Sequence, residues 1–227
     1  FATDVVGYSK SIEKDETQTL INLKECREIL DNLISKNKGR IFNTAGDSVL
    51  AEFNSAVTAS ECAIQFQKEI RERNSSVTDL KRMEFRIGIH MGDVIIDGDN
   101  LYGEGVNIAA RLESFSQPNG LSISKSIYDL VKGRTNNEFR DLGIQKIKNN
   151  SVHTYDLILA GLRKRKKTNT TPVITLMSIV IFFILVFSSA FLYFYNSSLT
   201  SIDTYNSKKL LILPFEVRSV DKSYDYL

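Results

Sequence analysis

This 227-residue sequence has only two cysteines and two histidines, and its formal net charge is close to zero. The two cysteines, Cys26 and Cys62, lie far apart in segments of helical character, which excludes a disulfide framework and predicts reduced core thiols in a cytosolic domain. The 29 Lys and Arg residues nearly balance the 27 Asp and Glu residues, so the formal charge of +2 leaves no basic excess for binding nucleic acid. His90 lies in an apolar strand segment, and we expect a hydrogen-bonded core residue rather than a metal ligand.

A long uncharged stretch follows the first two thirds of the chain. Five consecutive cations occupy 163–167, and residues 173–195 then contain no charged side chain. As a helix this stretch rises about 35 Å, enough to cross a hydrocarbon core of roughly 30 Å. The cations on its amino-terminal side predict a single-pass protein of the inner (cytoplasmic) membrane, with the first domain in the cytoplasm. The alternative is a buried core helix.

The composition, 42% hydrophobic and 25% charged, is that of a globular protein with one sizeable domain and additional segments. Because Phe1 already lies within a strand-like segment, we expect a fragment that is cut at both ends. The predicted segments are a first domain at 1–160, a basic juxtamembrane linker at 161–172, a transmembrane helix at 173–195 and the start of an extracytoplasmic domain at 196–227. Over a few residues, 210–215 resembles the opening strand of TolB-like periplasmic domains.

The central feature of the first domain is a predicted hairpin at 39–53, in which two apolar runs flank Ala45-Gly46-Asp47. A Gly-Asp pair between such runs indicates a tight turn, which would place the Asp47 carboxylate beyond the end of a sheet. Taken alone, Asp47 is more typical of a turn residue without a further role. A second carboxylate, Asp4, occupies a matching position in 1–9, where a strand turns through Gly7 into a helix.

These two stretches together resemble the class III adenylate and guanylate cyclases. In that family one metal carboxylate lies in a Phe-x-x-Asp-Val-x-Gly-Tyr-Ser sequence, and the second lies on a later Gly-Asp hairpin. The resemblance continues through Asp93, Gly103 and Arg111 to about Leu159. It implies an α+β fold with a ferredoxin-like βαββαβ core. The periodicity itself predicts helices from Asp15, Ser55, Gly105 and Ser124, and strands at 85–91, 94–96, 121–123, 138–142, 145–148 and 154–159.

For the site, the resemblance implies two divalent cations, Mg²⁺ or Mn²⁺, held by Asp4 and Asp47. Hard carboxylate oxygens suit these ions and leave coordination positions open for substrate oxygens. The resemblance further implies that Asn107 orients the ribose and that Arg111 stabilises charge on the phosphates. Their spacing of four places both on one helix face, although the pair taken alone is more typical of a solvated face.

Phosphate-binding groups are expected in two further places. Backbone N–H groups at a helix start offer an anion cradle, here at Val5, Val6, Gly7, Tyr8 and Ser9. Lys148 is the nearest match to the phosphate-binding lysine of the family, and Lys146, on the same strand face, is the alternative. A solvated strand lysine is the competing interpretation.

Asn43 and Asn100 occupy the family's base-recognition positions, where adenylate cyclases usually have Lys and either Asp or Thr, and guanylate cyclases have Glu and Cys. Because an amide both donates and accepts, the pair suits either purine. We predict that ATP is the main substrate, converted to 3′,5′-cyclic AMP and pyrophosphate in intracellular signalling, with GTP as the alternative.

The resemblance also implies a head-to-tail homodimer. In the family, the metal aspartates of one site and its Asn–Arg pair come from different subunits, so a dimer has two equivalent sites. A catalytically inactive member, which only binds nucleotide or dimerises, is the main alternative function. Diguanylate synthesis would require a Gly-Gly-acidic turn at 45–47, which the sequence does not have.

Overall fold

The computed structural model describes residues 1–147, 150–159 and 181–195. The chain divides into two compact units, Phe1–Arg165 and Lys166–Leu227. The first unit is an α+β domain, as predicted. Residues 196–227, with the strand expected at 210–215, lie outside the described residues.

Helices and strands alternate along the described part of the first unit. Helices α1 to α5 span Tyr8–Lys14, Glu16–Lys36, Ala56–Ser76, Glu104–Phe115 and Lys125–Val131. Strands β1 to β9 span Ala2–Val5, Gly39–Ala45, Ser48–Phe53, Phe85–Ile89, Ile95–Asp97, Asn100–Tyr102, Leu121–Ser124, Glu138–Ile147 and Asn150–Ile158. A short 3₁₀ turn at Asp79–Lys81 comes before β4.

One seven-stranded sheet forms the centre of the domain, in the order β2-β3-β1-β4-β7-β9-β8, and β5 pairs with β6 in a separate hairpin. Neighbours in the large sheet are antiparallel except β4 and β7. The first four strands have the order 2-3-1-4, which is the arrangement of a βαββαβ core. Because β3 is antiparallel to β1, the β2–β3 turn lies at the carboxyl end of β1.

Side-chain caps begin the two long helices where the sequence predicts them. The Asp15 side chain accepts a hydrogen bond of 3.0 Å from the backbone N–H of Gln18, at the start of α2. The Ser55 hydroxyl accepts one of 3.2 Å from the N–H of Val57, at the start of α3. Each cap satisfies an N–H group that has no acceptor within its own helix.

Helices α2, α3 and α5 cover one face of the sheet and enclose the main core. Phe66 of α3 meets Phe85 of β4 edge to face, with 4.9 Å between the ring centroids. Both cysteines are free and buried in this core, so the prediction of reduced core thiols is confirmed. Burial raises the pKa of Cys26 to about 11 and that of Cys62 to about 12.

Helix α4 packs on the opposite face of the sheet, against β4 and β1. Gly88 of β4 makes this close approach feasible, because a Cβ there would lie 2.2 Å from the backbone nitrogen of Glu113 and 2.3 Å from the carbonyl oxygen of Ala109. A small apolar cluster joins α4 to the β8–β9 hairpin, and it comprises Ile108, Leu112, Val152 and Ile147.

Strand β8 is one strand where the sequence predicts two. Its pairing with β9 shifts register between Asp141 and Ile144, and Gly143 at this bulge has a φ of +70°. The Asp141 carboxylate accepts a hydrogen bond of 2.7 Å from the N–H of Gly143, which stabilises the bulge. The glycine interrupts the strand pattern in the sequence, but the pairing resumes beyond it.

Residues 181–195 of the second unit form a helix with exposed apolar side chains, including Phe187 and Tyr193. Within the described ranges, no helix combines the length and the apolar character that crossing a membrane requires. The linker at 161–172 and residues 173–180 of the expected span lie outside those ranges. The membrane-spanning segment therefore stays a prediction.

Candidate active site

The Asp47 carboxylate lies beside the carboxyl end of β1. Gly46, at the turn between β2 and β3, has a φ of +59°, a conformation that favours glycine. Asp47 follows directly, and its Oδ2 accepts a hydrogen bond of 3.0 Å from the backbone N–H of Val5. The predicted hairpin is confirmed, and it brings Asp47 to the residue next to Asp4.

Asp4 is held by a cation that the sequence analysis did not assign to the site. Arg86 lies opposite Asp4 in the antiparallel β1–β4 pairing. Its Nε donates to Asp4 Oδ1 at 3.0 Å and its Nη2 donates to Asp4 Oδ2, so the contact is bidentate. This hydrogen bonding is the main cause that raises the pKa of Arg86, and the charge of Asp47 acts in the same direction. The charges of both predicted metal carboxylates, Asp4 and Asp47, therefore act on the guanidinium of Arg86.

A buried carboxyl group, which is not among the predicted site residues either, completes this cluster. Glu113 of α4 is only 6% exposed, and its Oε1 lies 3.5 Å from Arg86 Nη2. The pKa of Glu113 is raised to about 9, first by burial and then by a hydrogen bond and charge repulsion from Asp4. Glu113 is therefore protonated at neutral pH. Gly88, which interrupts the apolar β4 segment, was the available signal of a helix packed this closely.

The oxygen atoms of Asp4 and Asp47 are a donor set that suits Mg²⁺ or Mn²⁺. In the part of the chain that the structure describes, no group of three or more His, Cys, Asp and Glu side chains could hold a metal by itself. Two carboxylates alone would leave coordination positions for oxygen atoms of another molecule, as a catalytic metal site requires. Because Arg86 balances the charge of Asp4, a cation at Asp4 would take over that balancing role.

Two of the five N–H groups expected in the phosphate cradle already have acceptors. The N–H of Val5 donates to Asp47, and the N–H of Val6 donates to the carbonyl oxygen of Glu84 at 2.8 Å. These two N–H groups could bind phosphate only by giving up their present acceptors, the turn residue Asp47 and the carbonyl of Glu84 just before β4. Gly7 turns the chain with a φ of +70°, and within the described part of the chain the N–H groups of Gly7, Tyr8 and Ser9, at the start of α1, have no acceptor.

Asn107 and Arg111 lie one turn apart on α4, as predicted. Asn107 is exposed, whereas Arg111 is partly buried and its Nη1 donates to Asn150 Oδ1 at 2.5 Å. Among the described residues, no hydrogen bond or ion pair joins this pair to Asp4 or Asp47. A single chain therefore presents two separate groups of predicted site residues.

The two residues expected to read the base lie together. Asn43 Nδ2 donates to Asn100 Oδ1 at 3.3 Å, although the residues are 57 positions apart. Asn43 belongs to the same β2–β3 hairpin that carries Asp47 at its turn. Lys146 is exposed on β8, and Lys148 lies outside the described residues.

Residues 1–159 match the family model of the adenylate and guanylate cyclase catalytic domain. The chain belongs to this cyclase family. The carboxylates at the sheet end and the Asn–Arg pair of α4 are therefore parts of a cyclase catalytic domain.

Relatives of known name agree with this membership. A protein of Rhizobium meliloti (strain 1021) that bears an adenylate cyclase name is 40% identical over 150 residues, which cover 65% of this chain and 25% of the relative. The adenylate cyclase of Streptomyces coelicolor is 29% identical over 133 residues, which cover 58% of this chain and 33% of the relative. The cyclase chain thus spans between a quarter and a third of the length of these two relatives.

Solved structures confirm the cyclase-domain α+β fold. The adenylate/guanylate cyclase/hydrolase from Silicibacter pomeroyi has a TM-score of 0.65 at 34% identity, covering 69% of this chain and 93% of its own. The guanylate cyclase domain of RhGC from Catenaria anguillulae, solved in complex with GTP, has a TM-score of 0.57 at 20% identity, covering 70% of this chain and 93% of its own. The second likeness concerns the fold alone.

His90 of the cyclase domain differs from the expectation. It is partly exposed, and its Nδ1 is buried without a hydrogen-bond partner in the described part of the chain. Burial lowers its pKa. The prediction of a hydrogen-bonded core residue is wrong because β4 ends at Ile89, so the imidazole leaves the sheet and lines a cavity of about 230 Å³.

Proposed function

We propose that this cyclase domain converts ATP to 3′,5′-cyclic AMP and pyrophosphate, with guanylate cyclase activity on GTP as the second candidate. The proposal rests on the positions of Asp4 and Asp47. Both lie at the same end of the sheet, and the charges of both act on Arg86. The adenylate cyclase names of the Rhizobium meliloti and Streptomyces coelicolor relatives favour ATP.

Asp4 and Asp47 would hold two divalent cations, Mg²⁺ or Mn²⁺. When bound, these ions lower the pKa of the ribose 3′-hydroxyl and offset the charge of the triphosphate. Arg86, which pairs with Asp4 in this structure, would then be free to donate to phosphate oxygens beside the site. The neighbouring Glu113 holds its proton at neutral pH, so it adds no negative charge beside Asp4.

In the reaction, the 3′-oxygen attacks the α-phosphorus as its proton passes to solvent. The bond from the α-phosphorus to the bridging oxygen breaks, and pyrophosphate leaves. Asn107 orients the ribose, and Arg111 donates to the phosphate oxygens where negative charge builds up. The N–H groups of 7–9 bind the phosphate chain, and Lys146 or Lys148 adds a cation from the β8–β9 hairpin.

The active site is shared between two chains in this proposal. Among the described residues no hydrogen bond or ion pair joins the Asn–Arg pair of α4 to Asp4 or Asp47 of the same chain, which supports a second copy as its source. A homodimer of head-to-tail arrangement forms two such sites. Exposed apolar side chains of the β5–β6 hairpin support an interface there, with Ile95 67% and Ile96 72% exposed.

Base recognition is assigned to the amides of Asn43 and Asn100. Their hydrogen bond of 3.3 Å is exposed, so a base can compete for the same donors and acceptors. One amide oxygen would accept from the adenine amino group while an amide N–H donates to the ring nitrogen. GTP stays the second candidate. If each amide group is flipped, its oxygen and its NH₂ group exchange places, and the pair then matches the guanine edge.

Anchoring in the inner membrane by 173–195, with the cyclase domain in the cytoplasm, is the further part of this proposal. The support is the uncharged sequence and the exposed apolar side chains of the helix at 181–195, of which Phe187 is 74% exposed. After expression in bacteria, the chain should sediment with membranes and resist extraction at alkaline pH. Recovery in the supernatant under these conditions would contradict the anchor.

The catalytic proposal is tested by the products of the purified full chain. With Mn²⁺ or Mg²⁺ and equal ATP and GTP, we expect cyclic AMP to exceed cyclic GMP, and Asp47→Ala to abolish both. Asp31→Ala, which removes an exposed carboxylate paired with Arg27 on α2, is the matched control and should keep full activity. Near wild-type turnover by Asp47→Ala would refute the metal assignment, and nucleotide binding without product would favour the inactive alternative.

A further inference from the structure

An amide holds the guanidinium of Arg111 and links it to a carboxylate. Arg111 Nη1 donates to Asn150 Oδ1 at 2.5 Å, and Asn150 Nδ2 donates to Glu104 Oε1. Glu104 and Arg111 lie two turns apart on one face of α4. Asn150 therefore spans this face, on which Asn107 also lies.

The chemistry of this bridge determines which residue can occupy position 150. A guanidinium has only donors and a carboxylate only acceptors, so the Asn150 carbonyl has to face Arg111 and its NH₂ group has to face Glu104. An aspartate would set a second carboxylate against Glu104 and would neutralise Arg111. The neutral carbonyl instead fixes the orientation of the guanidinium and leaves its positive charge for another anion.

Asn150 belongs to the β8–β9 hairpin, which packs against α4. It is the first residue of β9 and pairs with Ile147 across the β8–β9 hairpin. Ile147 and Val152 of the hairpin pack against Ile108 and Leu112 of α4. Close packing of these apolar side chains couples the hairpin to the helix, so the amide keeps a fixed position relative to the backbone that carries Arg111.

We propose that Asn150 is a positioning residue, which aims Arg111 at the phosphates of the nucleotide during cyclisation. This inference rests on the proposed function. Without the bridge the guanidinium would sample several rotamers, and displacement of a catalytic group by about 1 Å lowers turnover by up to about 10²-fold. Asn150→Ala should therefore lower kcat by about 10- to 100-fold. KM for the metal–nucleotide complex should stay within about twofold, because Asn150 does not bind substrate.

A kinetic cycle of four full-length chains tests this role: wild type, Asn150→Ala, Arg111→Ala and the double variant. In the Arg111→Ala background, Asn150→Ala should change kcat by less than about twofold, because the group that it positions is already gone. If the two losses multiply, Asn150 acts by another route and the inference is overturned. Ser151→Ala, on the exposed neighbouring residue, is the matched control and should keep the wild-type kcat.

If thermal unfolding shows that Asn150→Ala does not fold, a second variant tests the same role. Asn150→Asp keeps the shape of the side chain and should lower kcat at least as far, because the new carboxylate neutralises Arg111 and repels Glu104. A wild-type kcat in Asn150→Asp overturns the inference. A wild-type chain that makes no cyclic nucleotide overturns the proposed function itself, whereas an active wild type with unaffected variants at 150 overturns only the positioning role.

Discussion

Replacing Glu113 by glutamine removes the acidic proton beside Asp4 and Arg86 while keeping the shape of the side chain. In the wild type, the pKa of Glu113 rises from 4.5 to about 9 on folding, through burial and the proximity of Asp4. The folded state therefore binds this proton more tightly than the unfolded state does. The resulting stabilisation is complete below about pH 4.5 and is lost as the pH rises through about 9.

The size of the effect follows from this shift. Between about pH 4.5 and about pH 9, each rise of one pH unit lowers the free energy of unfolding by about 1.4 kcal/mol. Between about pH 5 and about pH 8 the wild type should lose about 4 kcal/mol that Glu113→Gln, which has no proton to release, does not lose. The variant should thus become relatively more stable as the pH rises.

Urea unfolding of the full chain at several pH values, in the presence of a chelator, measures this difference. The chelator is needed because a cation at Asp4 would change the charge beside Glu113. Glu28→Gln, an exposed change on α2, is the matched control and should follow the wild-type curve. Parallel curves for the wild type and Glu113→Gln between about pH 5 and about pH 8 would refute the reasoning, since they would show that Glu113 is ionised in the folded state.

The remaining predictions concern the shared site and the packing of α4. Arg111→Ala should lower kcat by about 10²–10³, because it removes a donor to developing charge; steady-state kinetics showing less than a tenfold loss would contradict this. Mixed Asp4→Ala and Arg111→Ala chains should regain about a quarter of wild-type activity, since half of the dimers then hold one intact site; heterodimers proven by native mass spectrometry yet inactive would exclude a shared site. Gly88→Ala should lower the free energy of unfolding by about 1–3 kcal/mol, because its Cβ would lie 2.2 Å from the Glu113 nitrogen; an unchanged urea midpoint would contradict that packing.

Local signals in the sequence were sufficient for the hairpin and for the helix starts. Gly46 and Asp47 between apolar runs specify a tight turn because glycine reaches positive φ at little cost. Asp15 and Ser55 cap their helices with side chains that reach only two or three residues ahead. Information of this range is contained in short windows of sequence, so the hairpin at 39–53, the starts of α2 and α3 and the position of Asp47 at a turn could be predicted.

The partners of the carboxylates depend on pairing between distant segments, which periodicity does not encode. Arg86 meets Asp4 across 82 positions because β1 and β4 are neighbours in a particular register. Glu113 joins them only because α4 approaches the sheet over Gly88. The same holds for the phosphate cradle, since the N–H of Val6 is taken by a strand-end carbonyl that no short window contains.

The ion pair between Asp4 and Arg86 also affects how a metal cation and the nucleotide bind together at the site. Arg86 pairs with Asp4, and the raised pKa of Glu113 keeps that side chain neutral beside them. A divalent cation held by Asp4 would compete with this bidentate guanidinium, so the ion pair should weaken binding of the cation by itself. Nucleotide phosphates offer the released Arg86 a new anionic partner of matching geometry. Cation and nucleotide should accordingly bind cooperatively, because each one stabilises the arrangement of Arg86 that the other requires.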